Sequence, residues 1–75
     1  MELNEFVKAF AAEFDETPIE AFAPETRFRE LEEWGSLTSL SIISIVDDIF
    51  DKTLTGEDLR NSNTIEELYN VILNK

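Results

Sequence analysis

Seventy-five residues make a single domain over residues 1–75, and one this short buries only roughly 60% of the surface its unfolded chain exposes. Cysteine and histidine are both absent, which excludes disulfides, thiol nucleophiles, a Ser-His pair and imidazole-ligated metal. Six basic against seventeen acidic residues leave a net charge of −11, which repels nucleic acid and anionic lipid and favours basic protein surfaces.

At 43% hydrophobic and 11% aromatic, the chain is too apolar for a disordered acidic tail. No apolar run approaches the ~18 residues of a membrane span, and no basic-then-apolar leader opens the sequence. The expectation is a cytoplasmic monomer with no membrane insertion.

Leu3, Phe6, Val7, Phe10 and Phe14 fall at i, i+3, i+4, i+7 and i+11, one face of a helix over residues 2–14. Residues 15–34 are long for a connection, so they are expected to carry short elements or function. Thr17-Pro18-Ile19-Glu20 offers a cap, a first-turn proline and a returning carboxylate for one helical turn. Phe22, Phe28, Leu31 and Trp34 are expected to anchor this loop on the core and order it.

Residues 36–50 contain Ile42, Ile43, Ile45, Val46 and Ile49, whose branching favours a strand. Length decides against that, because fifteen residues without a turn signal suit a helix. On a helical wheel Ser39, Ile42, Ile43, Val46, Ile49 and Phe50 share one side. Ser41, Ser44, Asp47, Asp48 and Asp51 share the other, with Leu37 among them and Leu40 at the margin.

Thr55 is placed to cap a short turn starting at Gly56, with Asp58 returning and Leu54 and Leu59 facing inward. Thr64 and Glu67 form a capping box before Ile65, Leu68, Tyr69 and Ile72. The fold class is all-α: a small bundle of three main helices plus one short helix, with a long ordered first loop.

Few residues suggest chemistry. Asp51-Lys52-Thr53-Leu54-Thr55-Gly56 matches part of a calcium-loop pattern, but position twelve is Ser62 rather than a chelating acid. A loop capped by Thr55 explains the same residues, and no metal site is expected. Seventeen carboxylates at this density read as a solvated face, and a substrate pocket is hard to fit beside a core in so short a chain.

The informative stretch is Trp34-Gly35-Ser36-Leu37, where the loop gives way to the third segment. Free amides and the positive end of the helix dipole favour a phosphate attached at Ser36. Serine also commonly caps helices, and that reading accounts for position alone. A leucine on the polar side beside this hydroxyl, with acids further down the same face, points instead to a partner-docking surface.

Over nearly its whole length the sequence resembles the acyl carrier protein family. That family's Asp-Ser-Leu signature opens its second helix, and Trp34-Gly35-Ser36-Leu37-Thr38-Ser39-Leu40 stands at that place here. Thr26-Arg27-Phe28-Arg29-Glu30-Leu31 is similar to the family's ordered loop, Asp47-Asp48-Ile49-Phe50 to its acidic second-helix end, and Thr64-Ile65-Glu66-Glu67-Leu68 to its last helix start.

The resemblance implies that Ser36 carries 4′-phosphopantetheine, donated from coenzyme A by a phosphopantetheinyl transferase. It implies acyl cargo held as a thioester on that arm, for fatty-acid or polyketide biosynthesis. Leu37, Leu40, Ser41, Ser44, Asp47, Asp48 and Asp51 would form the docking face for acyl-transferring or condensing enzymes with basic surfaces. Ser36 would not be a catalyst, because the chain offers no His or Cys base to activate it.

One departure stands out: Gly35 replaces the family's aspartate before the modified serine, and in the family that aspartate helps the transferase and its magnesium engage the carrier. Natural variation, an engineered change and a carrier-like protein that is never modified all remain open. Two competing readings follow, an unmodified acidic helical interaction module and an aminoacyl carrier of the D-alanyl type.

Overall fold

In the computed structural model, which describes residues 1–75, the first apolar stripe forms helix α1 over Leu3–Ala11. The stripe had predicted a helix to residue 14, and the structure stops it three residues earlier. The Phe14 amide donates to Ala11 and the Glu13 amide to Phe10, an i−3 tightening of the last turn. The next two amides, Asp15 and Glu16, leave the helix ladder and bond the Glu33 carboxylate. Phe14 is still buried, so the stripe marks the core face beyond the end of the helix.

Residues 15–34 are ordered, with single 3₁₀ turns at Ile19–Ala21 and Phe28–Glu30. Thr17 does not cap the first turn as its sequence suggests. Its hydroxyl instead donates to Glu33, and Pro18 occupies the capping position. Phe22 and Phe28 are buried, whereas Leu31 and Trp34 are half-buried and pack against the core from its edge.

Helix α2 covers Ser36–Phe50. Ile42 and Val46 are fully buried, Ile43 and Phe50 half-buried, and Ser39 half-buried with its hydroxyl on the Ser36 carbonyl. Ile49, placed on the apolar side by the wheel, is 43% exposed. In so small a bundle the neighbouring elements cover a narrower stripe than the wheel draws, and Ile49 lies at its edge.

Helix α3, Gly56–Asn61, starts as its sequence predicts, with Thr55 and Asp58 exchanging side-chain-to-amide bonds at 3.0 and 3.1 Å. Leu54 and Leu59 are buried below it. Helix α4, Ile65–Leu73, takes its cap from the Thr64 hydroxyl on the Glu67 amide. Only half of the expected box forms there, because the Glu67 carboxylate takes the Asn63 amide instead of its own cap's.

The core is a cluster of fourteen buried side chains from all four helices, the first loop and the α2–α3 connection. Aromatic rings dominate it. Phe10 meets Phe6, Phe14, Phe22, Phe28 and Trp34 at centroid distances of 5.5 to 6.4 Å. Each buried large side chain contributes about 1.5–3 kcal/mol, so a few rings supply much of what so short a chain needs. The radius of gyration, 11.0 Å, agrees with the ~11 Å of a fully compacted chain of this length. No helix is long and apolar enough to cross a membrane.

Three of the six cations are used to fasten this bundle. Arg29 donates to the Ser62 carbonyl and to Asn63 Oδ1, tying the first loop to the α3–α4 turn. Lys52 caps the Ile72 and Leu73 carbonyls at the negative end of α4. Lys75 pairs with Asp58 at 2.8 Å. That ammonium, and then the Thr55 amide, hold the Asp58 carboxyl below its ordinary value.

Candidate functional site

Ser36 is the first residue of α2, and Gly35, not Ser36, occupies the N-cap. The serine hydroxyl is therefore not used as a cap, and its residue is exposed. Gly35 is extended, with φ −175°, and a Cβ added there would meet nothing within 4 Å. The Ser36, Leu37 and Thr38 amides have no acceptor within the chain, as expected for a first helical turn.

Three contacts fix the approach to Ser36. Trp34 stacks on Phe10 and Phe14 at 6.4 Å and meets Phe28 edge-on at 5.0 Å. The Thr38 hydroxyl accepts the Gly35 amide at 2.7 Å, with the Glu33 and Gly35 carbonyls 3.2 and 3.1 Å away to take its proton. The Glu33 carboxylate accepts the Asp15 amide at 2.9 Å, the Glu16 amide at 3.1 Å and the Thr17 hydroxyl at 2.7 Å. The Thr17 hydroxyl, followed by those amides, holds the Glu33 carboxyl below its ordinary value against an opposing effect of desolvation.

An open cleft of about 420 Å³ lies beside Ser36, lined by Glu13, Asp15, Glu33, Gly35, Leu37, Thr38 and Ser41 as well. Three of its lining residues are acidic and Leu37 is the one hydrophobic residue among them. Glu33 and Thr38 are near Ser36 by sequence, whereas Glu13 and Asp15 carried no signal for this place in the sequence and reach it only because the first loop folds back beside α2.

The expected docking residues fall as follows. Leu37 is 82% and Leu40 62% exposed, while Ser44, Asp47, Asp48 and Asp51 are also exposed. Ser41 differs: it is half-buried and lines the cleft. Positions 37, 40, 44, 48 and 51 are three or four apart and so form one stripe, about 21 Å long at 1.5 Å per residue. No lysine or arginine occurs between Arg29 and Lys52, so the stripe is apolar at one end and uniformly negative at the other. Asp51 ends the helix in the left-handed region, φ 55°, the only positive φ in the chain.

No family model, no curated protein and no solved structure matches this chain.

Proposed function

We propose that the protein is an acyl carrier, with Ser36 as the attachment point of a 4′-phosphopantetheine arm. The observation that carries this reading is an uncapped, exposed serine at the first turn of α2, followed at once by exposed leucines and a cation-free acidic stripe. Among the serines of α2, Ser36 alone stands in the first helical turn, directly before the exposed leucines.

The residues at the site suit a covalently attached phosphate. The hydroxyl is accessible, three amides without partners sit at the positive end of the helix dipole, and the space beside Gly35 is open. The attached group would supply a flexible arm whose terminal thiol holds acyl cargo as a thioester. In the attachment, Ser36 Oγ forms a bond to phosphorus, the phosphoanhydride of coenzyme A breaks to release adenosine 3′,5′-bisphosphate, and the hydroxyl proton passes to a base on the transferase. With no histidine or cysteine, this chain offers the acceptor oxygen and the surface that a modifying enzyme grips.

Leu37 and Leu40 would seat in apolar hollows on partner enzymes, and Asp47, Asp48 and Asp51 would steer basic surfaces towards them. Such a face gives fast, salt-sensitive encounter and modest affinity, which suits a shuttle. The test is the mass of the intact protein after incubation with coenzyme A and a broad-specificity transferase. A gain of one phosphopantetheine that disappears in Ser36→Ala is expected. Addition that survives in Ser36→Ala, or maps to Ser39 or Ser41, defeats the assignment.

Gly35 supports a second reading, an acidic interaction module that is never modified, because no carboxylate precedes the serine. An unchanged mass under conditions that fully prime a control carrier would favour it.

A further inference from the structure

Glu33 joins two parts of the chain that no helix connects. Its side chain holds the segment just after α1, through Oε2 on the Asp15 amide and Oε1 on the Glu16 amide and Thr17 hydroxyl. Its main-chain carbonyl lies 3.2 Å from Thr38 Oγ1, the same oxygen that accepts the Gly35 amide at the start of α2. One residue thus grips the acidic wall of the cleft with its side chain and the serine-bearing turn with its backbone.

The electrostatic setting makes this arrangement unusual. Glu13 and Asp15 share the cleft with Glu33, and Glu16 and Glu32 share the adjoining one. Neither ion pair in the chain involves Glu33. A carboxylate among like charges is held here by neutral donors alone, and those donors fix where the neighbouring acids stand.

We propose that Glu33 is a positioning residue for the chemistry at Ser36, setting the segment that carries Asp15 in the acidic wall of the cleft relative to the serine hydroxyl. This rests on the carrier reading and adds a residue to it. Glu13 and Asp15 both line the cleft beside Ser36, so an incoming phosphate meets their charge near Ser36 Oγ. If the wall is loose, the charges wander across the approach, and the serine turn loses the brace that runs through Glu33 and Thr38. Small misplacements of a reacting group are costly, up to about a hundredfold for 1 Å.

The experiment uses the full chain as wild type, Glu33→Ala, Thr17→Val and the double variant, with circular dichroism to check that each is helical. Amide hydrogen exchange is measured by NMR at Asp15 and Glu16, and at Trp34, Gly35 and Ser39. Initial rates of transfer from coenzyme A are measured alongside. Glu33→Ala is expected to speed exchange at both groups of amides by roughly five- to tenfold, the worth of about one hydrogen bond. Transfer should slow at least as much through kcat, with KM unchanged because the α2 stripe is intact. Thr17→Val should give part of each effect, and the double variant no more than Glu33→Ala.

Faster exchange at Asp15 and Glu16 alone would reduce Glu33 to a local latch and overturn the proposal. So would an unchanged transfer rate in Glu33→Ala, or additive effects in the double variant. If Glu33→Ala does not fold, Thr17→Val decides by the same two readouts. A wild-type chain that is never primed overturns the carrier reading instead, and exchange at Trp34, Gly35 and Ser39 then rules for or against the brace.

Discussion

Residues 15–34 contain only two single turns of 3₁₀ helix, whereas residues 36–50 form one unbroken helix. The irregular segment is nevertheless the more thoroughly braced of the two. Glu33 holds its beginning, Thr26 bonds the Ala21 carbonyl and Ala23 amide, and Arg29 reaches Ser62 and Asn63. The Pro24 and Thr26 carbonyls accept the first amides of α4. The outward stripe of α2 has no such partners, and its leucines and aspartates face solvent. Regularity and bracing are separate properties, and here the regular element leaves one face without contacts in the chain.

The strongest way to break this contrast is a pair of truncations. Phe28→Ala, in the loop, removes a fully buried ring that touches Phe10 and Trp34, at a cost of about 3–5 kcal/mol. Against the ~5 kcal/mol typical of the least stable domains, that change should leave much of the chain unfolded in urea titrations. Leu37→Ala, on the helix, should change stability by no more than about 0.5 kcal/mol while weakening capture by a transferase. Equal stability losses in the two would erase the distinction between the braced loop and the uncovered face of α2.

Acid should separate the regions next. Both Glu33 and Asp58 have lowered pKa values, the first through the Thr17 hydroxyl and the second through Lys75. A lowered folded value means that their stabilisation is complete above the ordinary values of 4.5 and 3.8 and is lost as pH falls through the folded ones. Protonating the other exposed acids relieves self-repulsion in a chain at −11 and acts in the opposite direction. The melting temperature should therefore rise as pH is lowered from 7, pass a maximum and fall in stronger acid. Added salt at pH 7 should raise it as well, by screening the same repulsion. A curve that falls from pH 7 downwards would show that the clamps outweigh the repulsion throughout.

A smaller effect is expected at the end of α2. Asp51 takes a left-handed conformation that glycine adopts without steric cost, and its charge lies at the negative end of the helix dipole. Asp51→Gly should stabilise by about 1 kcal/mol, read from chemical denaturation, although it removes one charge from the acidic stripe. A loss of stability would mean that the aspartate side chain supports the turn.

The smallest change in stability is expected at Gly35. Its extended backbone and open surroundings admit a side chain, so Gly35→Asp should fit without rearrangement. Aspartate at an N-cap exceeds glycine by only a few tenths of a kcal/mol, and one more acid adds to the repulsion. The rate of phosphopantetheine transfer should rise at matched salt and magnesium, since a carboxylate would then stand beside the hydroxyl. Equal rates would make the missing carboxylate irrelevant to recognition.

What the sequence determined by itself was local or periodic. The spacing of Phe6, Phe10, Ile42, Val46, Leu68 and Ile72 marked buried faces, and all six are fully buried. Thr55 with Asp58 set the start of α3 within four residues, using atoms that the backbone itself brings together. The all-helical class followed from those periods and from length. Only the tertiary structure decided which polar groups would meet across eighteen residues of loop. Glu33 met Asp15 rather than solvent, Thr17 became a donor instead of a cap, and beyond the tightened last turn of α1 the Asp15 and Glu16 amides found that carboxylate. Periodicity records which side of an element is buried, since that repeats with the helix. A hydrogen bond between distant residues leaves no repeat, and it exists only once the core has closed and brought the two segments within 3 Å.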